Sequence, residues 1–171
     1  QFAEAIAEMG GIPVLLDRSE EDLAKTSERV ISAFGRCETE VGNVADTDSL
    51  QSSCTRVVNR HGKIDVLINN AALTKYGCDS DPELFFSPFE KTDRAVWEQG
   101  LEVNLTGVML ACQIFGSQML SQGKGSIINI GSDVGIISPD QRIYEDSLYL
   151  GHQINTPAVY SVSKSGVIGL T

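Results

Sequence analysis

Short apolar runs alternate with amphipathic segments along this chain, and this alternation restricts the possible folds more than any other feature. The runs of strand length are residues 12–16, 37–44, 64–68 and 126–130. Helical spacing or capping residues predict helices over 2–9, 20–34, 46–59, 92–100, 101–120 and 159–171. Strands that alternate with helices favour a parallel sheet covered on both faces. We predict a three-layer α/β/α fold with a doubly wound parallel sheet, in one domain over residues 1–171. Both ends fall inside predicted helices, which we interpret as truncation of a longer protein.

Composition excludes several classes of function. The chain has 13 basic and 23 acidic residues, for a net charge of −10, and no basic cluster, so we expect no nucleic-acid partner. No apolar run reaches 18 residues and no signal peptide is apparent, so we expect no membrane partner and a cytoplasmic location. The four cysteines form no Cys-x-x-Cys pair and His61 and His152 are far apart, so we expect no metal site.

Polar residues follow the predicted strands, where ligands of open α/β sheets bind. They are Asp17, Asn43, Asn69-Asn70-Ala71 and Ser132. An acid at the position of Asp17 can bind ribose hydroxyls or can be an ordinary turn residue. Small residues after a strand allow a cofactor to approach the backbone, and the asparagines can connect neighbouring strand ends. Ser132 can donate to a substrate carbonyl or can belong to a plain turn.

Tyr160 and Lys164 are one helical turn apart, so both side chains lie on the same helix face. A lysine ammonium close to a phenol favours the phenolate, which gives a proton donor and acceptor for an alcohol/carbonyl couple. Such a pair is also common on ordinary helix surfaces. Asn104 lies in an apolar helical stretch, where it is either structural or bends the helix and holds a water.

The order of these signals resembles the classical short-chain dehydrogenase/reductase family over essentially the whole chain. The matching motifs are Asp17, Asn69-Asn70-Ala71-Ala72, Asn104-x-x-Gly107, Ser132 and Tyr160-x-x-x-Lys164. The resemblance implies a Rossmann-type fold, truncated at both ends, and hydride transfer between a nicotinamide and a secondary alcohol or ketone. It implies four catalytic residues: Asn104, Ser132, Tyr160 and Lys164. It places the cofactor at Asp17, Asn43, Val44, Asn70, Ala71, Ala72, Tyr160 and Lys164. The expected cofactor is NAD, and Arg18 leaves NADP open because an arginine can accept a 2′-phosphate.

Several departures from the family pattern affect these expectations. The family's Gly-rich loop and its strand are absent, so we expect the strands that hold Asp17 and Asn43 to be unconnected to the strand that holds Asn70. Ala72 replaces a glycine, and Asn43 replaces an aspartate. The gap of 28 positions between Ser132 and Tyr160 is about twice the family's usual gap, because of an insertion within residues 138–157 that we expect to be irregular. Its Arg142 could bind an anionic group or be an exposed loop arginine.

The insertion is similar to one in oxidoreductases of bacterial surface-glycan and flagellin-modification sugars, which favours a sugar-like or nucleotide-sugar substrate. Two other functions stay open: a nucleotide-sugar epimerase or dehydratase, and a non-catalytic NAD-binding scaffold or sensor. The family resemblance also implies a homodimer or homotetramer, assembled through the helices 101–120 and 159–171.

Overall fold

The computed structural model describes residues 1–74, 82–149 and 151–171. In the first part the elements are α1 (Phe2–Glu8), β1 (Val14–Asp17), α2 (Glu20–Phe34), β2 (Glu38–Val41), α3 (Thr47–His61) and β3 (Val66–Asn69). The later elements are α4 (Pro82–Phe85), α5 (Arg94–Leu101), α6 (Gly107–Ser121), β4 (Ser126–Asn129), β5 (Leu148–Tyr149), β6 (His152–Gln153) and α7 (Ala158–Leu170). A π-helical turn, Glu102–Thr106, joins α5 to α6, and three 3-10 turns occupy Phe89–Lys91, Asp133–Gly135 and Gln141–Tyr144.

The strands pair as the α/β prediction requires. β1 lies parallel to β2 and β3 lies parallel to β4. Within the described residues these pairs are two separate two-stranded sheets, which agrees with the expectation that the strands of Asp17 and Asn43 are not joined to that of Asn70. The predicted strand ends were imprecise, because β2 ends at Val41 and β4 at Asn129. Asn43 and Ser132 therefore lie in the loops beyond their strands.

A shared helical core holds the two strand pairs together. Leu50 and Cys54 of α3 pack against Ala111 and Phe115 of α6, and all four side chains are buried. Leu16 of β1 and Leu67 of β3 pack against this same cluster. Apolar burial, which is non-directional, therefore connects strands that share no hydrogen bonds.

Helix boundaries follow ordinary capping chemistry. The Ser19 hydroxyl accepts a hydrogen bond from the Asp22 amide at the start of α2, and the Asp46 carboxylate accepts one from the Ser49 amide at the start of α3. α2 ends at Gly35, which has a φ of 81°. These capped helices fix the loops that carry Asp17 and Asn43.

A buried carboxylate connects β2 to α3. Glu40 is 4% exposed, and its carboxylate accepts hydrogen bonds from Arg56 Nε at 2.6 Å and from the Arg60 guanidinium. Burial alone would raise the pKa of Glu40, but the hydrogen bonds and charges of Arg60 and Arg56 outweigh it and hold the pKa below its usual range.

The insertion is more regular than predicted. The Gln141–Tyr144 turn is followed by an antiparallel hairpin of β5 and β6, so the expectation of an irregular segment was wrong. Each strand has only two residues, too few for a period-two pattern to be seen in sequence. Tyr149 and Ile154 of this segment pack against a buried cluster of Phe85, Phe86 and Val96.

One helical stretch meets the length and apolarity expected of a membrane span, although no uninterrupted apolar run in the sequence reaches 18 residues. It comprises the 28 residues Arg94–Ser121, the one such stretch among the described residues. Buried core helices meet the same criterion, and Val96, Val108, Ala111 and Phe115 of this stretch are buried within the protein.

Candidate active site

Helix α7 carries both the tyrosine and the lysine of the predicted site. Lys164 is 4% exposed, and its Nζ donates a hydrogen bond to the Ile130 carbonyl oxygen at 2.6 Å, just beyond β4. The same Nζ lies 5.8 Å from the centroid of the half-buried Tyr160 ring. Burial lowers the pKa of Lys164. The ammonium is therefore fixed beside the phenol, and it is not a mobile surface group.

The loop of Ser132 packs directly on α7. A Cβ added to Gly135 would lie 2.7 Å from the Lys164 carbonyl carbon and 2.9 Å from its oxygen. The Ser165 hydroxyl donates a hydrogen bond to the Gly135 carbonyl oxygen. Ser132 is half-buried, and its hydroxyl donates to the Asp133 carboxylate at 3.0 Å. The 3-10 turn after β4 thus holds the serine beside the lysine helix.

Asn104 lies in the π-helical turn and is 2% exposed. Its Nδ2 donates to the Leu73 carbonyl oxygen at 3.2 Å, and its Oδ1 accepts from the Leu73 amide. The side chain therefore fixes the loop after β3 to the π-helical turn, which is the structural role left open by the sequence. The water-holding role stays a prediction. π-helical turns occur frequently at functional sites.

Close helix contacts bring Asn104 to α7. A Cβ on Gly100 would lie 2.6 Å from the Val159 side chain, and one on Gly166 would lie 2.8 Å from the Leu105 side chain. Real Cβ atoms do not approach so closely, so a larger residue at either position would require a neighbouring side chain or helix to shift. The structure thereby assembles Asn104 and Ser132 around the helix of Tyr160 and Lys164.

The predicted cofactor residues line an open edge. Asp17 ends β1, is exposed, and accepts a hydrogen bond at Oδ1 from the Ser19 amide at 2.9 Å. Asn43 is exposed too, and its Oδ1 accepts from the Ala45 amide at 3.0 Å. A Cβ on Gly107 would lie 3.1 Å from Val44, which places Val44 against the helix of Asn104.

The loop after β3 has the small side chains that close approach of a cofactor requires. Asn70 and Ala71 are exposed and Ala72 is half-buried. An exposed acid at the end of β1 fits the ribose hydroxyls of a dinucleotide.

A polar network at the ends of β3 and β4 was predicted only in part. Asn69 Nδ2 donates to Asn129 Oδ1 at 2.8 Å, which confirms that an asparagine connects the strand ends, and it also contacts Cys112 Sγ at 3.3 Å. Asn129 Nδ2 donates to the Thr171 hydroxyl at 3.0 Å. Burial raises the pKa of the Cys112 thiol. Cys112 and Thr171 were missed because their sequence neighbours are ordinary helix residues.

Arg142 has a local partner. Its Nε lies 2.9 Å from both carboxylate oxygens of Asp140, and both side chains are exposed. These hydrogen bonds raise the pKa of Arg142 and lower that of Asp140. The geometry favours the exposed loop arginine over an anion-binding residue. No cluster of His, Cys, Asp and Glu in the described ranges has the arrangement of a metal site.

The fold and this assembly are those of a known class. The family model of short chain dehydrogenases matches residues 1–171, and the chain belongs to the short-chain dehydrogenase/reductase family. The sequence prediction of this family and of a Rossmann-type α/β fold is confirmed.

The similar proteins are named for different substrates. The chain is 31% identical over 166 residues to a 3-oxoacyl-[acyl-carrier-protein] reductase of Thermotoga maritima, covering 96% of this chain and 57% of that protein. It is 30% identical over 129 residues to a D-threitol dehydrogenase of Mycolicibacterium smegmatis, covering 75% and 40%. A crystal structure of NAD+-bound xylitol dehydrogenase superposes with a TM-score of 0.80 at 27% identity, covering 99% of this chain and 56% of that one. The chain thus spans about half the length of these relatives.

Proposed function

We propose that the native protein is an NAD-preferring oxidoreductase that interconverts a secondary alcohol and a ketone on a small polyhydroxylated, sugar-like substrate. The observation that carries the proposal is the fixed ammonium of Lys164, beside the Tyr160 ring and bonded to Ile130, with the Ser132 loop packed against its backbone. Threitol and xylitol dehydrogenases among the similar proteins support the substrate class.

The proposed mechanism assigns proton transfer to Tyr160. The phenolate accepts the hydroxyl proton in oxidation, and the phenol returns it to the carbonyl oxygen in reduction. Lys164, whose Nζ lies 5.8 Å from the centroid of the Tyr160 ring, supplies a positive charge beside the phenol. The Ser132 hydroxyl donates to the substrate oxygen, after it leaves Asp133. A bound nicotinamide supplies or accepts the hydride.

Asn104 acts on the proposed proton relay indirectly, by positioning the backbone of the π-helical turn. Its side-chain amide bonds to Leu73 through one donor and one acceptor contact, and we propose that a water of the proton relay is held by main-chain groups of the π-helical turn. The side chain keeps this turn aligned with the loop after β3. We assign Asn104 this role in place of direct contact between its side chain and a water.

The NAD preference rests on Asp17. Its exposed carboxylate accepts hydrogen bonds from the adenosine ribose hydroxyls and repels a 2′-phosphate. Asn43, Val44, Asn70, Ala71 and Ala72 complete the proposed cofactor edge, together with Tyr160 and Lys164.

We further propose a cytoplasmic homodimer or homotetramer. Its interface uses α6 and α7, which expose apolar side chains of Met109, Val162 and Ile168. Exposed apolar faces of this kind mark association surfaces.

Net cofactor turnover tests the function. The native full-length protein is incubated with NAD and a panel of four- to six-carbon polyols, and NADH is followed at 340 nm. Stoichiometric NADH formation with a keto product supports the proposal. Conversion of a nucleotide-sugar without net NADH indicates an epimerase, and tight NAD binding without turnover across the panel indicates a scaffold or sensor.

A further inference from the structure

An amide side chain of the inserted segment forms hydrogen bonds to the backbone after α4. Asn155 Nδ2 donates to the Phe86 carbonyl oxygen at 2.6 Å and lies 3.3 Å from the Ser87 carbonyl oxygen. Rotating the amide would place Oδ1 against both carbonyl oxygens, so the neighbours fix its orientation. Phe86 also packs edge-to-face with Tyr149, with ring centroids 6.4 Å apart.

The segment is also connected internally. The Gln141 side chain accepts from the Thr156 amide at 3.1 Å and donates to the Thr156 carbonyl oxygen at 2.9 Å. The Tyr144 hydroxyl lies 2.6 Å from the Thr156 hydroxyl. These contacts join Gln141 and Tyr144 to Thr156, the residue next to Asn155, which attaches to the segment after α4.

The attachment lies next to the proposed acid/base. α7 begins at Ala158, and the Tyr160 amide donates to the Pro157 carbonyl oxygen at 2.9 Å, so Tyr160 is in the first turn. Proline at residue 157 limits the backbone freedom between the attachment and the helix. First turns fray unless they are held, and this one lacks a side-chain cap.

The attachment uses only the donor of the Asn155 amide. Its Oδ1 is buried without a hydrogen-bond partner in the part of the chain that the structure describes. A buried, unpaired acceptor costs free energy. The two donated contacts, and not the carbonyl oxygen, therefore hold this side chain in place.

We propose that Asn155 is a positioning residue, which fixes the inserted hairpin on Phe86–Ser87 and thereby holds the first turn of α7 and its Tyr160 in place. This inference rests on the proposed function for its catalytic consequence only. The inserted segment thereby stabilises the position of Tyr160, the proposed acid/base.

Asn155→Ala in the native full-length protein tests the proposal, with Gln153→Ala as the matched control. Gln153 is an amide of the same hairpin, and among the described residues its Nε2 donates within the insertion, to the carbonyl oxygens of Tyr144 at 2.6 Å and Ile154 at 3.3 Å. We expect Asn155→Ala to speed hydrogen exchange in peptides covering residues 158–161, while Tm changes by less than about 3 °C. We expect kcat to fall by about 10- to 100-fold, since misplaced catalytic groups lose rate steeply. NAD affinity is expected to change less than about threefold, because Asn155 lies outside the proposed cofactor edge.

The exchange measurement separates this inference from the proposed function. Unchanged exchange at residues 158–161 would overturn the positioning role, as would equal effects of Gln153→Ala. A loss of kcat that merely follows a large fall in Tm would reduce Asn155 to a structural residue and also overturn it. Faster exchange in a protein that oxidises no alcohol would support the positioning role and reject the proposed function.

Discussion

Gly135 is the position where a single added methyl group should separate the Ser132 loop from the lysine helix. A Cβ there would lie 2.7 Å from the Lys164 carbonyl carbon, and no flexible side chain can yield because the clashing atoms are backbone. Gly135 does not have a positive φ, so the effect of alanine is one of space alone. The loop or α7 must move by several tenths of an ångström or more.

The magnitude follows from this clash. Overpacking a buried site costs about 1–3 kcal/mol of folding free energy, which we expect Gly135→Ala to lose in urea unfolding. A displacement of about 1 Å at a catalytic group costs about 100-fold in rate, or about 2.7 kcal/mol of transition-state stabilisation. We expect kcat for polyol oxidation to fall by about that factor in the folded variant.

Gly131→Ala supplies the matched control in the same loop. The nearest atom to its Cβ is Ile168 Cγ1 at 3.9 Å, an ordinary van der Waals separation. We expect near-native kcat and stability, with both variants assayed below their unfolding transitions. Equal kcat values for Gly135→Ala and Gly131→Ala would refute the claim that this contact sets the position of Ser132.

Three further predictions test other parts of the site and fold. Tyr160→Phe should lower kcat by at least about 1,000-fold and leave NADH binding, measured by fluorescence, within about threefold, because it removes only the proton-transferring hydroxyl; near-normal turnover would contradict the mechanism. Asp17→Ser should lower the NAD-to-NADP ratio of kcat/KM by about tenfold or more, since it removes the charge that repels a 2′-phosphate; an unchanged ratio would place specificity elsewhere. Glu40→Gln should destabilise the protein by about 1–3 kcal/mol at pH 7, against less than about 0.5 for the exposed Glu21→Gln. The pKa of Glu40 is lowered in the fold, so its contribution is present above the ordinary glutamate pKa and is lost as pH falls through the folded-state pKa. Urea unfolding at pH 7 and at low pH measures this, and a Glu40→Gln penalty that is as large in acid as at pH 7 would contradict it.

The fold was predictable wherever a local pattern carried it. The helix Glu20–Phe34 has its predicted bounds, because Ser19 and Gly35 are capping residues that act within a few positions. The hairpin of β5 and β6 was not predictable, since it depends on Tyr149 and Ile154 packing against Phe86, more than 60 positions earlier. Local periodicity contains no information about such a contact.

In the candidate site, too, contacts between residues close in sequence were predictable and contacts between distant residues were not. Tyr160 and Lys164 are one turn apart in sequence, so their proximity follows from helix geometry alone. The hydrogen bond from Lys164 to Ile130 joins residues that are 34 positions apart. The hydrogen bonds between Asn104 and Leu73 join residues that are 31 positions apart. The family motifs marked the proposed functional side chains but not the carbonyl and amide groups that hold them.

Glycines allow the segments that carry these side chains to approach closely. The proposed catalytic residues lie on three segments. Gly100 and Gly135 lie where the segments of Asn104 and Ser132 contact α7, and Gly166 lies where α7 contacts Leu105. An added methyl group at any of them would collide with a residue of the facing segment within 3 Å. Interiors are close-packed and transmit such displacements, so these positions set the distances among Asn104, Ser132 and Tyr160. A motif search detects functional groups, whereas the distances among them depend on residues that have no side chain.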